Sequence, residues 1–208
     1  MRRLLLLSAV VVLGTCATAR ASTGDQQALA KRYAPVVRLV EQKEECGPGE
    51  PYDPIDVNTL FGQPTVALRG PWNGSDLVKI GPTASDLTGG LYDYHLDFPG
   101  DALSPGCGYE QWARRITKGH EPTVYAHVAT EPAHPGQLAL QYWFFYVYND
   151  WNNLHEGDWE MIQLDFDAGT ASAALAKRPA SVGYSQHEGA EKAKIGRASC
   201  RERVCQYV

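Results

Sequence analysis

The chain has 208 residues, of which 44% are hydrophobic and 21% charged, enough apolar material for one domain with a buried core. Its formal net charge is −5, and no basic stripe runs along it. The composition therefore argues against nucleic-acid binding and against simple attraction to anionic lipid, and leaves open a cation-binding protein.

Residues 1–21 have the pattern of a secretory signal peptide. Arg2 and Arg3 precede an apolar run from Leu4 to Leu13, and Ala19-Arg20-Ala21 provides a small-residue cleavage site. The run is too short to span a bilayer, so we expect no transmembrane segment. A lipoprotein signal ending at Cys16 is the weaker alternative, because Thr15 is bulky beside that cysteine. The sequence predicts a secreted, extracellular protein.

The C-terminal end lacks the strand pattern of the rest of the chain. Residues 195–208, from Ile195 to Val208, resemble a translated sequencing adapter and show no periodicity that continues the preceding strand pattern. We therefore expect a β domain over residues 22–194 that is truncated at its C-terminus, followed by an artefactual tail. A genuine basic tail is the alternative.

Two cysteines remain once both ends are set aside. Cys46 and Cys107 lie in Gly/Pro-rich stretches downstream of an export signal. Such a pair in an oxidising compartment predicts a disulfide, which would stabilise the fold by about 4 kcal/mol through closure of a long loop.

The first half of the mature chain is predicted to alternate short elements with turn-rich loops. A short helix is expected over Gly24–Lys31, and an edge strand over Tyr33–Val40, because Pro35 cannot donate to a sheet. The elements that follow are a helical turn between Pro54 and Gly62, a brief strand at Thr65–Arg69, turns over 70–90, a strand at Leu91–Phe98 and a helical turn at Tyr109–Ile116.

The second half contains the clearest strand patterns. Apolar, aromatic and β-branched residues alternate with polar ones in four segments, and a weaker helical pattern lies between the last two. These segments are Thr123–Thr130, Leu138–Asn149, Trp159–Phe166, the helical Ala171–Ala176 and Ser181–Gln186. Many short strands joined by Gly/Pro turns predict an all-β sandwich of mostly antiparallel strands with short helical turns.

A cluster of acidic residues lies in the hairpin formed by the two longest strands. Asp158 and Glu160 point to one face because strand side chains alternate, and they lie about 6–7 Å apart along the strand. Like charges at that spacing cost free energy unless a cation, a proton or a donor lies between them. Gly157 permits a tight turn that would bring His155 over them, and Asp150 ends the preceding strand. We predict a metal site of Asp150, His155, Asp158 and Glu160.

The ligand types indicate which cation would bind. Carboxylate oxygens with one histidine suit Ca²⁺, Mg²⁺ or Mn²⁺ better than a structural Zn²⁺, which favours Cys and His. A solvated turn with a strand-edge ion-pair cluster is the alternative. Asp93 and His95 share one strand face and are a possible additional site, with a structural role for the histidine as the alternative.

A glycoside hydrolase is a further alternative. Glu156, Asp158 and Glu160 recur at period two, and two carboxyl groups about 5–5.5 Å apart are what a retaining glycosidase needs. The pattern is similar to the Glu-x-Asp-x-x-Glu signature of secreted β-glucanases. Gly157 departs from it by replacing the apolar residue expected between the first pair.

Four motifs in order carry a resemblance to a known family. They are Tyr33-Ala34-Pro35-Val36-Val37, the aromatic run Tyr142–Tyr148, His155-Glu156-Gly157-Asp158-Trp159-Glu160 and Tyr184-Ser185-Gln186-His187. The chain resembles the vacuolar protein sorting-associated protein 62 family over residues 33–188. The resemblance implies a fold more than a reaction, and it suggests His187 as a second histidine of the site.

The central motif is also similar to that of a more remote family. Necrosis- and ethylene-inducing peptide-like proteins, which are secreted cytolysins, carry Gly-His-Arg-His-Asp-Trp-Glu and bind a divalent cation there. His155, Asp158, Trp159 and Glu160 match that motif, whereas Glu156 and Gly157 replace its Arg and second His. The likeness implies a cation site and, as the alternative function, a cytolysin-like or surface-binding protein. Its partner would be an extracellular ligand, a glycan or a membrane surface.

Overall fold

The fold is all-β and sandwich-like, with two antiparallel sheets and a few short helices. A computed structural model of the chain describes residues 23–37, 39, 42–47, 52–150, 153–186 and 189–194. The predicted signal peptide, the predicted tail and His187 lie outside the described residues. The predicted fold class is confirmed.

The smaller sheet has three strands, in the order β2-β1-β3. They are β1 (Ala67–Arg69), β2 (Leu77–Ile80) and β3 (His95–Asp97). β1 is the central strand, and its Ala67 and Leu68 are buried, whereas every residue of β2 is exposed.

The larger sheet has five strands that follow one another in sequence order. The central pair is long because alternating aromatic residues favour an extended chain and fill the core on one side. Its register runs from Leu138 opposite Phe166 to Asn149 opposite His155. The strands are β4 (Tyr125–Ala129), β5 (Leu138–Asn149), β6 (His155–Phe166), β7 (Ser181–Gln186) and β8 (Gly189–Lys194).

Three helices contribute buried residues to the core that they share with the five-stranded sheet. They are α1 (Thr23–Arg32), α2 (Gly108–Ile116) and α3 (Ala171–Leu175). The Tyr142 hydroxyl of β5 donates to the Ala30 carbonyl of α1 at 2.7 Å. The Tyr109 ring of α2 stacks on Tyr148 of β5, with centroids 4.5 Å apart and an interplanar angle of 15°. α2 is thereby held against the end of β5 at which the acidic motif begins.

The predicted disulfide between Cys46 and Cys107 is present, with its Cα atoms 5.1 Å apart. It ties the loop before the first strand to the start of α2. The Glu110 carboxylate reinforces this link, because it accepts hydrogen bonds from the Cys46 amide at 2.8 Å and from the Gln42 side chain at 3.0 Å.

Several predicted bounds were wrong. The described residues of Tyr33–Val40 form no strand, and the Tyr33 ring packs against Phe166 of the larger sheet with centroids 5.2 Å apart. β2 lies within the segment predicted to be turns, because a fully exposed strand shows no alternation. β6 begins at His155 rather than Trp159, so most of the acidic motif is strand rather than connection.

Candidate functional site

The acidic motif opens β6, directly across from the end of β5. Gly157 adopts φ +69°, a left-handed conformation that costs other residues free energy. The turn in the backbone brings His155 and Asp158 together, with Nε2 of the histidine 3.3 Å from Oδ1 of the aspartate. The sequence predicts that Gly157 lets His155 fold back over Asp158 and Glu160, and the structure shows the approach to Asp158.

The contacts of His155 bear on the position of its ring proton. Nδ1 lies 2.6 Å from the Asn153 carbonyl oxygen, which can only accept, and 3.4 Å from the Asn149 side-chain amide nitrogen, which can only donate. The shorter contact favours a proton on Nδ1. Nε2 then faces a carboxylate oxygen with its lone pair unless a second proton or a cation lies between them. A histidine that donates its other ring N–H to a backbone carbonyl is the usual arrangement around a bound metal.

A cavity of about 790 Å³ opens beside this pair. Its walls combine two indole rings and two leucines with the polar groups of the motif. Its described lining residues are Leu103, Trp143, Asn153, Leu154, His155, Asp158, Trp159 and Ser185. An apolar and aromatic wall with a few convergent polar groups is typical of a ligand-binding site.

Asp158 and Glu160 are both buried, with 8% and 9% of their surface exposed. They lie opposite Tyr146 and Phe144 in the register of β5 and β6, so they share one face as predicted. Glu160 does not complete a group with His155 and Asp158 in which all three ligand atoms lie within 4.8 Å, among the residues that the structure describes. The structure thus brings two of the four predicted ligands into contact.

Glu156 lies in a different environment. Its carboxylate accepts a hydrogen bond from the Phe98 amide at 3.1 Å and another from the Tyr109 hydroxyl. Burial raises the pKa of this carboxyl group, an effect that the two hydrogen bonds oppose and do not cancel. Because Glu156 is turned toward α2 and β3, it is not among the described lining residues of the cavity, and the glycosidase pairing with Asp158 gains no support.

The other predicted site residues are not among the described lining residues of the cavity. Asp150 is exposed just beyond the end of β5, and Asp93 is exposed just before β3. His95 belongs to β3, where its ring contacts Trp72 with centroids 4.9 Å apart. Its Nδ1 is buried with no hydrogen-bond partner among the described residues. Asp93 and His95 therefore do not join the cavity.

One trio of potential metal ligands does lie within 4.8 Å in the described part of the chain. It consists of Glu45, Cys46 and Cys107. Both sulfur atoms belong to the disulfide, so neither is a thiolate that would bind a metal.

Sequence reasoning missed several residues that shape the site. Tyr109 holds Glu156, and the Asn153 carbonyl holds His155, but neither carries a local sequence signal. Trp143 and Trp159 did carry a local sequence signal, because their positions in the strands place them on the face opposite Asp158. The prediction of Trp159 packing against the aromatic strand agrees with its contact to Phe145, with ring centroids 5.0 Å apart.

Comparison with known proteins gives no family. No family model matches the chain, and no curated protein matches it. The resemblance to the vacuolar protein sorting-associated protein 62 family therefore has no support from these comparisons.

Two solved structures show a limited likeness. One, described as a toxin fold for microbial attack and plant defense, is 22% identical, with a TM-score of 0.28, and covers 34% of this chain and 31% of its own. The other, NLPPya in complex with mannosamine, is 15% identical, with a TM-score of 0.38, and covers 83% of this chain and 55% of its own. The chain thus spans about a third and about half of their lengths, and TM-scores this low identify no function.

No helix in the described part of the chain is long and apolar enough to cross a membrane.

Proposed function

We propose that this chain is a secreted β domain that binds a divalent cation at His155 and Asp158 and uses it to bind an extracellular ligand in the adjacent cavity. The observation that carries the proposal is the 3.3 Å approach of His155 Nε2 to Asp158 Oδ1 on the cavity wall. Glu160 and Asp150 are the proposed additional ligands, brought in by side-chain rotation.

The spacing of the two atoms fits one shared ion. Ligand atoms that each lie about 2.0–2.4 Å from a cation are separated by about 3 Å when they occupy neighbouring coordination positions. The Asn153 carbonyl already orients the imidazole, so binding requires no change of tautomer. An imidazolium–carboxylate pair is the competing reading, and it predicts no response to metal.

The proposed ion is Ca²⁺, Mg²⁺ or Mn²⁺. Three carboxylates and one imidazole form an oxygen-rich set that suits these hard cations more than Zn²⁺. A cation on the cavity wall keeps open positions, and these would accept oxygen atoms from a ligand. Glycan hydroxyl groups and lipid headgroups both offer such oxygens, which agrees with the secreted location proposed from residues 1–21.

Thermal unfolding of the full chain tests the cation site. A cation at a hundredfold excess over its Kd should stabilise the fold by about 2.7 kcal/mol, since the unfolded chain has no preformed site. For a domain of this size that corresponds to a rise in Tm of roughly 5–10 °C. Asp158→Asn should remove most of this rise, whereas Asp167→Asn, an exposed carboxylate past the end of β6, should retain it.

An unchanged Tm would refute the cation site. If EDTA and added Ca²⁺, Mg²⁺, Mn²⁺ and Zn²⁺ all leave the wild-type Tm unchanged, the His155–Asp158 contact is an ion pair and the proposal fails. Once binding is established, cation-dependent leakage of lipid vesicles would place the ligand at a membrane surface. Release of reducing sugar from a β-glucan would instead make the protein an enzyme.

A further inference from the structure

A ladder of polar side chains crosses the outer face of the five-stranded sheet. His127 Nδ1 lies 3.2 Å from Gln141 Oε1, and Gln141 Nε2 donates to Gln163 Oε1 at 2.8 Å. Gln163 Nε2 in turn donates to Asp165 Oδ1 at 2.7 Å, and Lys192 pairs with Asp165 Oδ2 at 2.8 Å. The strand register explains the ladder, because His127 and Gln163 both lie opposite Gln141. We define these five residues as the amide ladder.

An aromatic patch borders the amide ladder on the same face. Trp143 lies two residues from Gln141 along β5, and its Nε1 donates to Gln141 Oε1 at 3.4 Å. Trp159 is the centre of the patch, with ring centroids 6.3 Å from Trp143 and 5.8 Å from Tyr125. It remains 44% exposed, which is unusual for a large ring with several aromatic neighbours.

The charge of this face limits the class of ligand. The ladder ends in a compensated pair, because Asp165 accepts hydrogen bonds from both Lys192 and Ser181. Burial alone would raise the pKa of Asp165, but the hydrogen bonds from Lys192, Ser181 and Gln163 outweigh it and lower the pKa. The carboxylate therefore stays ionised and paired, and the rest of the ladder consists of amides and one imidazole. Such a surface favours neither polyanions nor polycations.

We infer that the outer face binds a neutral oligosaccharide, through stacking on Trp159 and Trp143 and hydrogen bonds to the amide ladder. Sugar rings present an apolar C–H face and a rim of hydroxyl groups. An exposed aromatic patch beside amides that both donate and accept matches both features. Hydrogen bonds hold each glutamine between neighbours, so less side-chain entropy remains to be lost on binding.

The patch is continuous with the cavity, since Trp143 and Trp159 also line it. The two indole planes meet at 79°, so they offer no flat platform for a crystalline polysaccharide surface. They instead suit a single soluble chain whose rings turn from one residue to the next. The amide ladder itself includes none of the proposed metal ligands and none of the described lining residues of the cavity, so its contribution can be tested apart from the cation.

Calorimetric titration of the full chain tests the inference. The probes are neutral hexasaccharides from cellulose, mannan, xylan and chitin, with hexagalacturonate as the charged comparison. We expect binding to at least one neutral probe and none to hexagalacturonate. Trp159→Ala should weaken binding by at least about tenfold, and Gln163→Ala by about fivefold, the usual effect of one lost hydrogen bond. Ligand binding should also shift the tryptophan emission of the wild type.

Matched controls separate binding from folding and from the cation site. Tyr92→Ala removes a ring that is 95% exposed, and Gln111→Ala removes an exposed glutamine on α2, so both should leave affinity unchanged. The loss caused by Gln163→Ala should persist in EDTA, because the amide ladder includes none of the proposed metal ligands, so the failure of the cation proposal remains a separate outcome. The inference is overturned if none of the neutral probes binds, or if a bound probe tolerates both Trp159→Ala and Gln163→Ala.

Discussion

Replacing Tyr109 with phenylalanine isolates the hydrogen bond that holds Glu156. The Tyr109 ring is fully buried and stacks on Tyr148, and phenylalanine preserves that ring. Only the hydroxyl group is lost. Of these two hydrogen-bond donors to the Glu156 carboxylate, the Phe98 amide then remains. The change therefore creates no large cavity and tests the buried charge directly.

The expected loss follows from the charge of the acceptor. A hydrogen bond to a charged group contributes about 1.5–3 kcal/mol, whereas a neutral one contributes about 0.5–1.5 kcal/mol. Tyr142→Phe provides the neutral comparison, because the Tyr142 hydroxyl donates to the Ala30 carbonyl at 2.7 Å. We expect Tyr109→Phe to lower the free energy of unfolding about twice as much as Tyr142→Phe at about pH 7.5.

The pH dependence gives the decisive contrast. Burial raises the pKa of Glu156 in the folded state. Between its unfolded and its folded pKa, the folded state therefore binds more protons than the unfolded state, and the contribution of Glu156 to stability grows as pH falls. Tyr109→Phe removes a hydrogen bond that lowers this pKa, so the pKa rises further. Protonation of Glu156 in acid then relieves part of the cost. The difference between variant and wild type should shrink from about pH 7.5 to about pH 4.5.

Urea unfolding at both pH values measures these differences through the midpoint and slope. Tyr142→Phe should cost the same at each pH, since no carboxylate is involved. Equal losses for the two variants at both pH values would refute the reasoning, because they would show that the Glu156 carboxylate is hydrated rather than buried.

Two further predictions concern stability. Replacing both Cys46 and Cys107 with serine should lower the free energy of unfolding by about 4 kcal/mol, as measured by urea titration. A reducing agent should lower the free energy of unfolding of the wild type by a similar amount. Mass spectrometry that finds both thiols free in exported protein would contradict this prediction. Gly157→Ala should cost about 1–2 kcal/mol because φ is +69°, although its Cβ would meet only the Phe145 ring at 3.5 Å. Gly183→Ala in β7 is the matched control, because its added Cβ would lie 3.9 Å from Gln163, and it should be close to neutral in thermal unfolding. An equal loss of stability in both variants would exclude backbone strain at Gly157 as the cause.

The sequence predicted the long elements because their periodicity is strong. β5 has the predicted bounds of Leu138–Asn149, since its alternating aromatic residues indicate extended structure without tertiary information. β2 could not be found this way, because its four residues, Leu77–Ile80, are too few to establish a period and lie in a turn-rich segment. β8 has the sequence GAEKAK, whose residues have weak strand propensity, and it exists through pairing with β7.

The candidate site was predictable only in part. The spacing of His155, Gly157 and Asp158 is local, so a short stretch of sequence was enough to expect the first two ligands near each other. The partners of Glu156 come from α2 and from the end of β3, 47 and 58 residues away, so no local pattern could show them. The amide ladder likewise needs residues from four strands, β4, β5, β6 and β8, although Gln141-x-Trp143 and Trp159-x-Met161-x-Gln163 carry its period-two signal.

The bridge between Cys46 and Cys107 has a practical consequence for anyone who prepares this protein. Cys107 precedes α2 directly, Tyr109 follows two residues later, and Tyr109 holds Glu156, which is two residues before Asp158. The thiol state of a preparation is thus connected to the geometry of the proposed metal ligands through one helix. Material made in a reducing cytosol would lack that connection, so a preparation exported to an oxidising compartment is the proper starting point for every binding experiment.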